Sequence, residues 1–338
     1  MPAEPATSPA TLSGRRVVIA GGTGFLGVSL AHHLRRCGAA VTVLSRKPPT
    51  APIEGVEHAV WPARPGTRPH SEAAAGGWAE RVRAADAIVN LAGRSVDCVK
   101  TPDHRDEIVR SRVESTLALG EALRSGPAEP RARVWVQMST AHAYGDPPRD
   151  VCDESSPFGH GLAPDVARAW EAAFERSVPP SVRPVILRTS FVIGRRNTGG
   201  AGALGRLTTL ARFGLGGTVG PGTQGISWLH ERDMNRIIER AITDETMHGP
   251  FLATAPNPVT NREFMRRLRR ALRMPIGLPA PGFLVRIAAP LILRTDPELA
   301  LYGRFCVPTR LMQSGFSFEF PMLPDALADI FARTTPKA

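Results

Sequence analysis

Gly21-Gly22-Thr23-Gly24-Phe25-Leu26-Gly27 lies between an apolar run, Arg16 to Ala20, and an amphipathic stretch, Phe25 to Arg36. The first reads as a strand and the second as a helix, so the glycines occupy a strand-to-helix turn. The segment satisfies Gly-x-Gly-x-x-Gly from Gly22 and Gly-x-x-Gly-x-x-Gly from Gly21. Glycine permits a tight turn and a close approach of main chain to a pyrophosphate, whose charge then meets the free amides of a helix N-terminus. An ordinary glycine-rich turn could share this composition. The context argues otherwise: a second strand, Val41 to Ser45, ends 18 residues after Gly27. Dinucleotide binding is therefore expected, with Gly21, Gly22, Thr23, Gly24, Phe25, Leu26 and Gly27 against the cofactor.

The second strand ends in Leu44-Ser45-Arg46, where a cofactor lacking the 2′-phosphate usually meets an Asp or Glu on its ribose. No acid stands there. Ser45 and Arg46 can instead donate hydrogen bonds to a 2′-phosphate, which predicts NADP(H) preferred over NAD(H). The plainer alternative leaves Arg46 as a solvated residue after a strand. A later strand, Ala87 to Leu91, closes in Asn90-Leu91-Ala92-Gly93, and the small residues place Leu91, Ala92 and Gly93 close to the adenosine side of the cofactor.

Downstream, apolar runs and amphipathic stretches keep alternating: helix Asp103 to Arg124, strand Val134 to Ser139, helix Val166 to Arg176, strand Val185 to Thr189. This is the pattern of a parallel sheet with crossover helices. The expected fold is α/β, a Rossmann-type doubly wound parallel sheet with a smaller, mainly helical C-terminal substrate-side region. Residues 1–14 read as a disordered leader, 15–195 as the nucleotide-binding domain and 196–335 as a region with late strands and helices that closes over the substrate crevice. Helices are expected there over Arg232 to Ile242 and Asn261 to Leu272, the second capped by Asn261.

Composition narrows the function classes. Among 338 residues, 42% are hydrophobic and 22% charged, which fits neither disorder nor a membrane protein. No window holds 18 uninterrupted apolar residues, so no membrane span is expected. The net charge of +11 invites a polyanion partner, but Lys47, Lys100 and Lys337 are the only lysines, and the arginines are scattered. No base-reading or stacking motif accompanies them, so nucleic-acid binding is not expected. Cys37, Cys98, Cys152 and Cys306 show no metal-ligand spacing, which predicts no metal and a reducing, cytoplasmic location.

Several further motifs fall into a known order. Ser139-Thr140-Ala141-His142-Ala143-Tyr144-Gly145, Leu187-Arg188-Thr189 and Trp228-Leu229-His230-Glu231-Arg232-Asp233 follow the glycine turn and Asn-Leu-Ala-Gly. Together they resemble extended short-chain dehydrogenase/reductases, the NAD-dependent epimerase/dehydratase family. Ser111-Arg112 with Thr116, Trp170-Glu171, Gly216-Gly217, Ala255-Pro256-Asn257-Pro258-Val259 and Gly315-Phe316 are similar to an atypical branch, epimerase-like or cell-division-inhibitor-like, with a C-terminal domain of unknown function. The resemblance spans roughly residues 15 to 332. It implies that Ser139, Arg188 and Thr189 border the cofactor. It implies also that Thr140 stands where active relatives place a Ser or Thr on the reacting oxygen.

Active members carry a Tyr and, four residues on, a Lys as proton-transfer pair. This chain departs from that pattern. Its only tyrosines are Tyr144 and Tyr302, followed at that spacing by Pro148 and Cys306, and Ala163 and Ala167 align with the pair. Thr140 and Tyr144 are left as the catalytic candidates. An unassisted tyrosine, with a pKa near 10, could donate a proton but hardly accept one, so reduction is easier to support than oxidation. Tyr144 could equally pack under the sheet with its hydroxyl anchored. His142 is a weaker candidate for acid/base work. Arg112 is a candidate for an anionic substrate or, equally, for a helix-face salt bridge; Asn257 is a candidate for cofactor or substrate contact, although turn formation alone accounts for Pro-Asn-Pro. Asp153 and Glu154 could offer a carboxylate, and His230 and Asp233 read as structural.

The expected function is an NADP(H)-dependent reductase or epimerase of a small molecule. The alternative is a catalytically silent nucleotide-binding regulator or sensor, favoured by the missing pair. The sequence leaves a homodimer open.

Overall fold

β1 (Arg16–Ala20) lies inside a seven-stranded sheet whose residues alternate between two apolar layers. Val17 and Ile19 face one layer, Val18 and Ala20 the other, which is why the strand reads as a continuous apolar run. This computed structural model describes residues 11–49, 51–65, 77–125, 131–147, 150–195, 202–293 and 296–332.

From β1 the chain runs through α1 (Phe25–Arg36), β2 (Ala40–Ser45) and β3 (Glu57–Val60), then α2 (Trp78–Ala84) and β4 (Ala87–Asn90). α3 (Pro102–Arg124), β5 (Val134–Thr140), the short β6 (Val151–Cys152), α4 (Leu162–Ser177) and β7 (Arg183–Thr189) follow. α3 starts where it does because Thr101 caps it through its side chain and Pro102 occupies the first turn. Beyond come β8 (Phe191–Ile193), α5 (Ala203–Arg212), β9 (Gly225–Ile226), β10 (Trp228–His230), α6 (Glu231–Thr243), β11 (Gly249–Ala253), β12 (Val259–Thr260) and α7 (Asn261–Ala271). The last elements are α8 (Gly282–Ala288), α9 (Glu298–Leu301), β13 (Phe305–Cys306), α10 (Thr309–Gln313) and α11 (Leu323–Phe331).

The sheet order is β11-β7-β5-β4-β1-β2-β3, with every pair parallel. After β1 the chain builds outward through β2 and β3, then returns to lay β4 on the other flank. The switch point therefore falls between β1 and β4, and ligands of such sheets bind at the carboxyl ends there. α1 and α6 pack on one face, α2, α3 and Phe174 of α4 on the other. A third core joins α5, α7 and α11 through Leu204, Phe264, Leu268, Leu323 and Leu327. Among the described residues no helix is long and apolar enough to cross a membrane.

Two expectations need correction, and one stretch holds elements for which no expectation was given. Residues 1–10 lie outside the described residues, but 11–14 form an ordered turn: Leu12 is fully buried and its amide donates to Cys37 O, because the apolar side chain completes the α1 layer. A boundary at 195 cuts through the sheet, since the seventh strand, β11, comes from beyond it and α6 packs on α1. The stretch between β2 and β4, rich in Pro and Gly, holds β3 and α2, and Trp61 just after β3 meets Trp78 of α2 edge to face. Their short apolar runs carry no clear periodicity.

Candidate functional site

At the switch point each glycine of the first turn meets a different constraint. Gly21 has φ +76°, and a Cβ there would stand 2.8 Å from Ala92 Cα, so the β1 and β4 loops touch through bare backbone. At Gly27 a Cβ would stand 2.3 Å from Gly22 Cα, which forces the helix to meet the turn without a side chain. At Gly22 it would meet the Val43 methyls at 2.8 Å. Gly24 differs: it is exposed, and a Cβ would find nothing closer than Gly21 O at 3.7 Å. Its bareness serves no packing within the protein.

α1 begins at Gly24 with neither a side-chain cap nor an acid in its first turn. Its leading amides and the positive end of the helix are thus open to an anion. Thr23 is exposed beside them, while Phe25 and Leu26 pack their side chains on the core and offer main chain only. This cradle fits the diphosphate of a dinucleotide.

At the end of β2, Arg46 is exposed. Ser45 is buried, and its hydroxyl donates to Lys47 O and lies 2.7 Å from His58 Nε2. The serine is thus tied to protein, leaving Arg46 as the more accessible donor. His58, whose pKa is lowered by burial, lies beside this position on β3; the sequence had given no strand there to reveal it. At the end of β4, Asn90 is fully buried: its carbonyl oxygen accepts from Ala92 N at 3.1 Å, and its amide donates to Gln137 and Thr116. It fixes the Leu91-Ala92-Gly93 backbone against Gly21. Gly93 in turn lies under Arg112, whose Cγ would be 3.1 Å from a Cβ there.

Arg112 crosses from α3 to α4, its guanidinium 5.0 Å from the Trp170 ring centroid, and donates to Ile108 O. Desolvation lowers its pKa to about 10, and no carboxylate contributes. Ala163 and Ala167, where the family's proton-transfer pair would stand, lie seven and three positions before Trp170 on α4, hence on the same helical face. Ala167 is fully buried.

The turn after β5 separates the two catalytic candidates. Thr140 is half-buried, and its oxygen accepts from His142 N at 3.1 Å, which leaves its own O–H free to donate. His142 is held well below the usual imidazole pKa by burial and by the charges of Arg304 and Lys100, so it is neutral at pH 7. Tyr144 instead is 3% exposed, accepts from Arg188 Nη1 at 3.2 Å and packs edge to face on Phe158. Burial, opposed only in part by Arg188, pushes its pKa up to about 12. Of the two readings of this tyrosine, the geometry matches the anchored one.

Arg188 also donates twice to Glu171, at 3.0 and 2.8 Å, and Ser139 Oγ donates to the same carboxylate at 2.6 Å. The side chains of Ser139 and Arg188 are thereby engaged within the protein. Thr189 is half-buried with its hydroxyl toward Ala253 O. Glu171 as hub of this network was not singled out beforehand, because only the fold brings α4 under β5 and β7.

The C-terminal residues take structural places. Asn257 Nδ2 donates to Pro321 O at 3.0 Å, tying the turn to the segment before α11. Asp233 accepts the Glu319 and Phe320 amides at 2.7 and 2.9 Å, while His230 caps α6. Thr260, rather than Asn261, caps α7; Asn261 instead accepts from Val219 N. Glu154 accepts from Leu252 N and Asp153 from its own loop, so neither offers a free carboxylate. Arg304, close enough for its charge to reach His142, has no local sequence signal and was missed.

The model of the NAD dependent epimerase/dehydratase family matches residues 17–250, and a domain of unknown function (DUF1731) matches residues 280–330. The human epimerase family protein SDR39U1 is 34% identical over 325 residues, covering 94% of this chain and 100% of that protein. An Arabidopsis thaliana chloroplastic homologue of it is 31% identical, covering 93% and 86%. The crystal structure of human SDR39U1 (isoform 2) with NADPH superposes with TM-score 0.77 at 30% identity, covering 94% of this chain and 99% of that one. The glycine cradle at the switch point, the sheet order and this coverage agree: the chain belongs to the NAD dependent epimerase/dehydratase family.

Proposed function

We propose that the chain is an NADP(H)-dependent reductase or epimerase of a small carbonyl compound, with Thr140 on the reacting oxygen. The observation that carries the reading is the open cradle at Gly24, where helix amides lie bare and no protein atom fills the space. Gly21 to Gly27 would hold the diphosphate and Leu91 to Gly93 the adenosine side. Arg46, exposed at the end of β2 with no acid in its place, favours the 2′-phosphate, and the NADPH bound to human SDR39U1 supports the same preference. The cofactor, when bound, supplies hydride transfer.

The protein's own part is positioning and polarisation. Thr140 O–H, left free by its acceptor role toward His142 N, donates to a substrate carbonyl oxygen and draws negative charge onto it. Arg112, without an ion pair among the described residues, places a cation on the α4 face where Ala167 stands in the position of the family's lysine, and it stabilises the same developing charge. Tyr144, raised to about 12 and bound to Arg188, takes no part in proton transfer. Asn257, engaged with Pro321, contacts substrate at most through its main chain.

A second reading, a nucleotide-binding sensor without chemistry, draws support from the alanines at 163 and 167. A paired experiment separates the two. NADPH should raise Tm more than NADH does, because a ligand bound only to the folded form stabilises it. Carbonyl compounds should then oxidise bound NADPH in the wild type, and Thr140→Val should slow that oxidation without weakening NADPH binding. NADPH binding without turnover across a broad carbonyl library supports the sensor.

A further inference from the structure

Arg304 is 9% exposed, and its side chain makes no hydrogen bond or ion pair among the described residues. Its Nε is buried without a partner. Asp146, whose charge reaches Arg304, accepts from Gly303 N at 2.7 Å and forms no ion pair with the guanidinium. Removing a charge from water costs several kcal/mol unless a counter-charge offsets it. A folded protein keeps such a group only where something else supplies that charge.

The location says what it would be. Arg304 precedes β13, whose Cys306 pairs with Cys152 of β6, so the arginine is pinned against the loop that follows Thr140 and His142. Its backbone is fixed as well: Arg304 N donates to Gly225 O, and its carbonyl accepts from Ser227 Oγ at 2.9 Å. Arg304 and Lys100 are the two cations whose charge reaches His142, and Lys100 in turn feels Arg112. Lys100 donates to Val96 O alone among the described residues. Arg304 and Lys100 thus act on the Thr140 turn and Arg112 acts on Lys100; among the described residues none of the three forms an ion pair, Asp146 reaching Arg304 and Asp296 and Asp97 reaching Lys100 only through space.

We infer that Arg304, with Lys100 and Arg112, forms an oxyanion subsite beside Thr140, so that the substrate carries a carboxylate or phosphate group near its carbonyl. The inference rests on the reading of Thr140 as the residue on the reacting oxygen. Guanidinium binds either oxyanion through paired N–H donors, and the rigid backbone of Arg304 presets that fork.

The test uses the full-length protein saturated with NADPH, followed by the nucleotide's own fluorescence so that cofactor occupancy is read separately. Inorganic phosphate in one arm and malonate in the other are titrated at constant ionic strength while Tm is recorded. At least one anion should raise Tm of the wild type, and the arm that responds identifies the group. In Arg304→Met the affinity for that anion should fall at least about tenfold with NADPH binding unchanged. Without any anion, Arg304→Met should melt about 2–4 °C higher than wild type, because an uncompensated buried charge is gone. Arg304→Lys should retain part of the anion response.

Three results overturn the inference: no anion response in the wild type, an equal response in Arg304→Met, or a lower Tm of that variant in anion-free buffer. The last would make the guanidinium a structural group. Should NADPH fail to bind, the cofactor reading falls by itself, and the difference between wild type and Arg304→Met in phosphate still decides the subsite.

Discussion

Arg188 and Arg304 are buried to the same degree, 8% and 9% exposed, and stand in opposite electrostatic surroundings. Around Arg188 every polar atom has a partner: Glu171 takes two of its N–H groups, Tyr144 another, and Ser139 completes the carboxylate. Burial alone would depress its pKa, yet Glu171 reverses the sign and raises it. Around Arg304 burial outweighs the charge of Asp146, which forms no ion pair with it, and the pKa falls. The difference teaches how to read buried charge in this fold. A satisfied cation holds α4 to the sheet, and an unsatisfied one marks space meant for something else.

The largest effect is expected where the satisfied network is broken. Arg188→Met leaves Glu171 buried without its partner, which should cost about 3–5 kcal/mol of unfolding free energy. Urea denaturation of the variant measures it. Pairing the change with Glu171→Leu should recover most of the loss, because replacing both members removes the stranded charge. A loss below about 1 kcal/mol for Arg188→Met alone would erase the contrast with Arg304.

His230 tests whether burial or pairing wins when both act on one group. Its ring stacks 4.0 Å from Phe320 and lies 3.4 Å from Asp329, and burial outweighs the aspartate, lowering the pKa to about 4 from 6.5. Above pH 6.5 the ring is neutral in both folded and unfolded chains, so it adds no pH dependence. Between 6.5 and 4 the unfolded chain takes up the proton first, so stability is lost as pH falls, by up to about 3 kcal/mol at the lower end. His230→Asn retains a capping acceptor for α6 and should flatten this slope in urea titrations between pH 7 and 4.5. An unchanged slope would mean Asp329 offsets the burial.

The glycine turn repeats the contrast in terms of space instead of charge. Gly27→Ala forces a methyl to within 2.3 Å of Gly22 Cα, so helix and turn must separate. A cost of about 1–3 kcal/mol in stability is expected, together with loss of NADPH binding. Gly24→Ala adds a methyl to open space and should leave Tm within a degree or two of wild type. It should nevertheless weaken NADPH on the order of tenfold, equivalent to about 1.4 kcal/mol, because the methyl stands where the diphosphate approaches. Fluorescence titration beside thermal melts measures both, and equal NADPH affinity in Gly24→Ala would remove the cradle from the cofactor site.

How much of this was legible in the sequence follows from where each partner lies. Gly21 to Gly27 could be read because turn, helix start and preceding strand are contiguous, and each enforces its constraint locally. Five strands of the sheet, β1, β2, β4, β5 and β7, were equally plain, since residues buried on both faces form unbroken apolar runs such as Arg16 to Ala20. β3 and α2 were hidden in a stretch whose Pro and Gly content reads as loop. Ser139 and Arg188 were expected beside the cofactor; that Glu171 engages both side chains could not be read in advance, because the network joins β5, β7 and α4 across the fold. Arg304 was invisible for the same reason: an isolated arginine among 42 basic residues gains meaning only when its Nε proves to be buried without a bonded partner.

The smallest effect belongs to Tyr144, which sits between the two regions. It follows Thr140 on the same turn, yet its hydroxyl points to Arg188 and its ring to Phe158. If it belongs to the satisfied network, Tyr144→Phe removes one hydrogen bond of four to that guanidinium and leaves both bonds to Glu171 intact. The cost should be about 0.5–1.5 kcal/mol, and the ring packing is preserved. Turnover with any carbonyl substrate should then be unchanged, and so should its pH profile, since a hydroxyl with a pKa near 12 stays protonated throughout the working range. A drop in kcat of a hundredfold or so at unaltered KM would carry the opposite meaning, within the range expected for loss of a general acid. It would place the tyrosine with Thr140 on the reacting side, and the division between satisfied structure and open crevice would have to be drawn on the other side of Arg188.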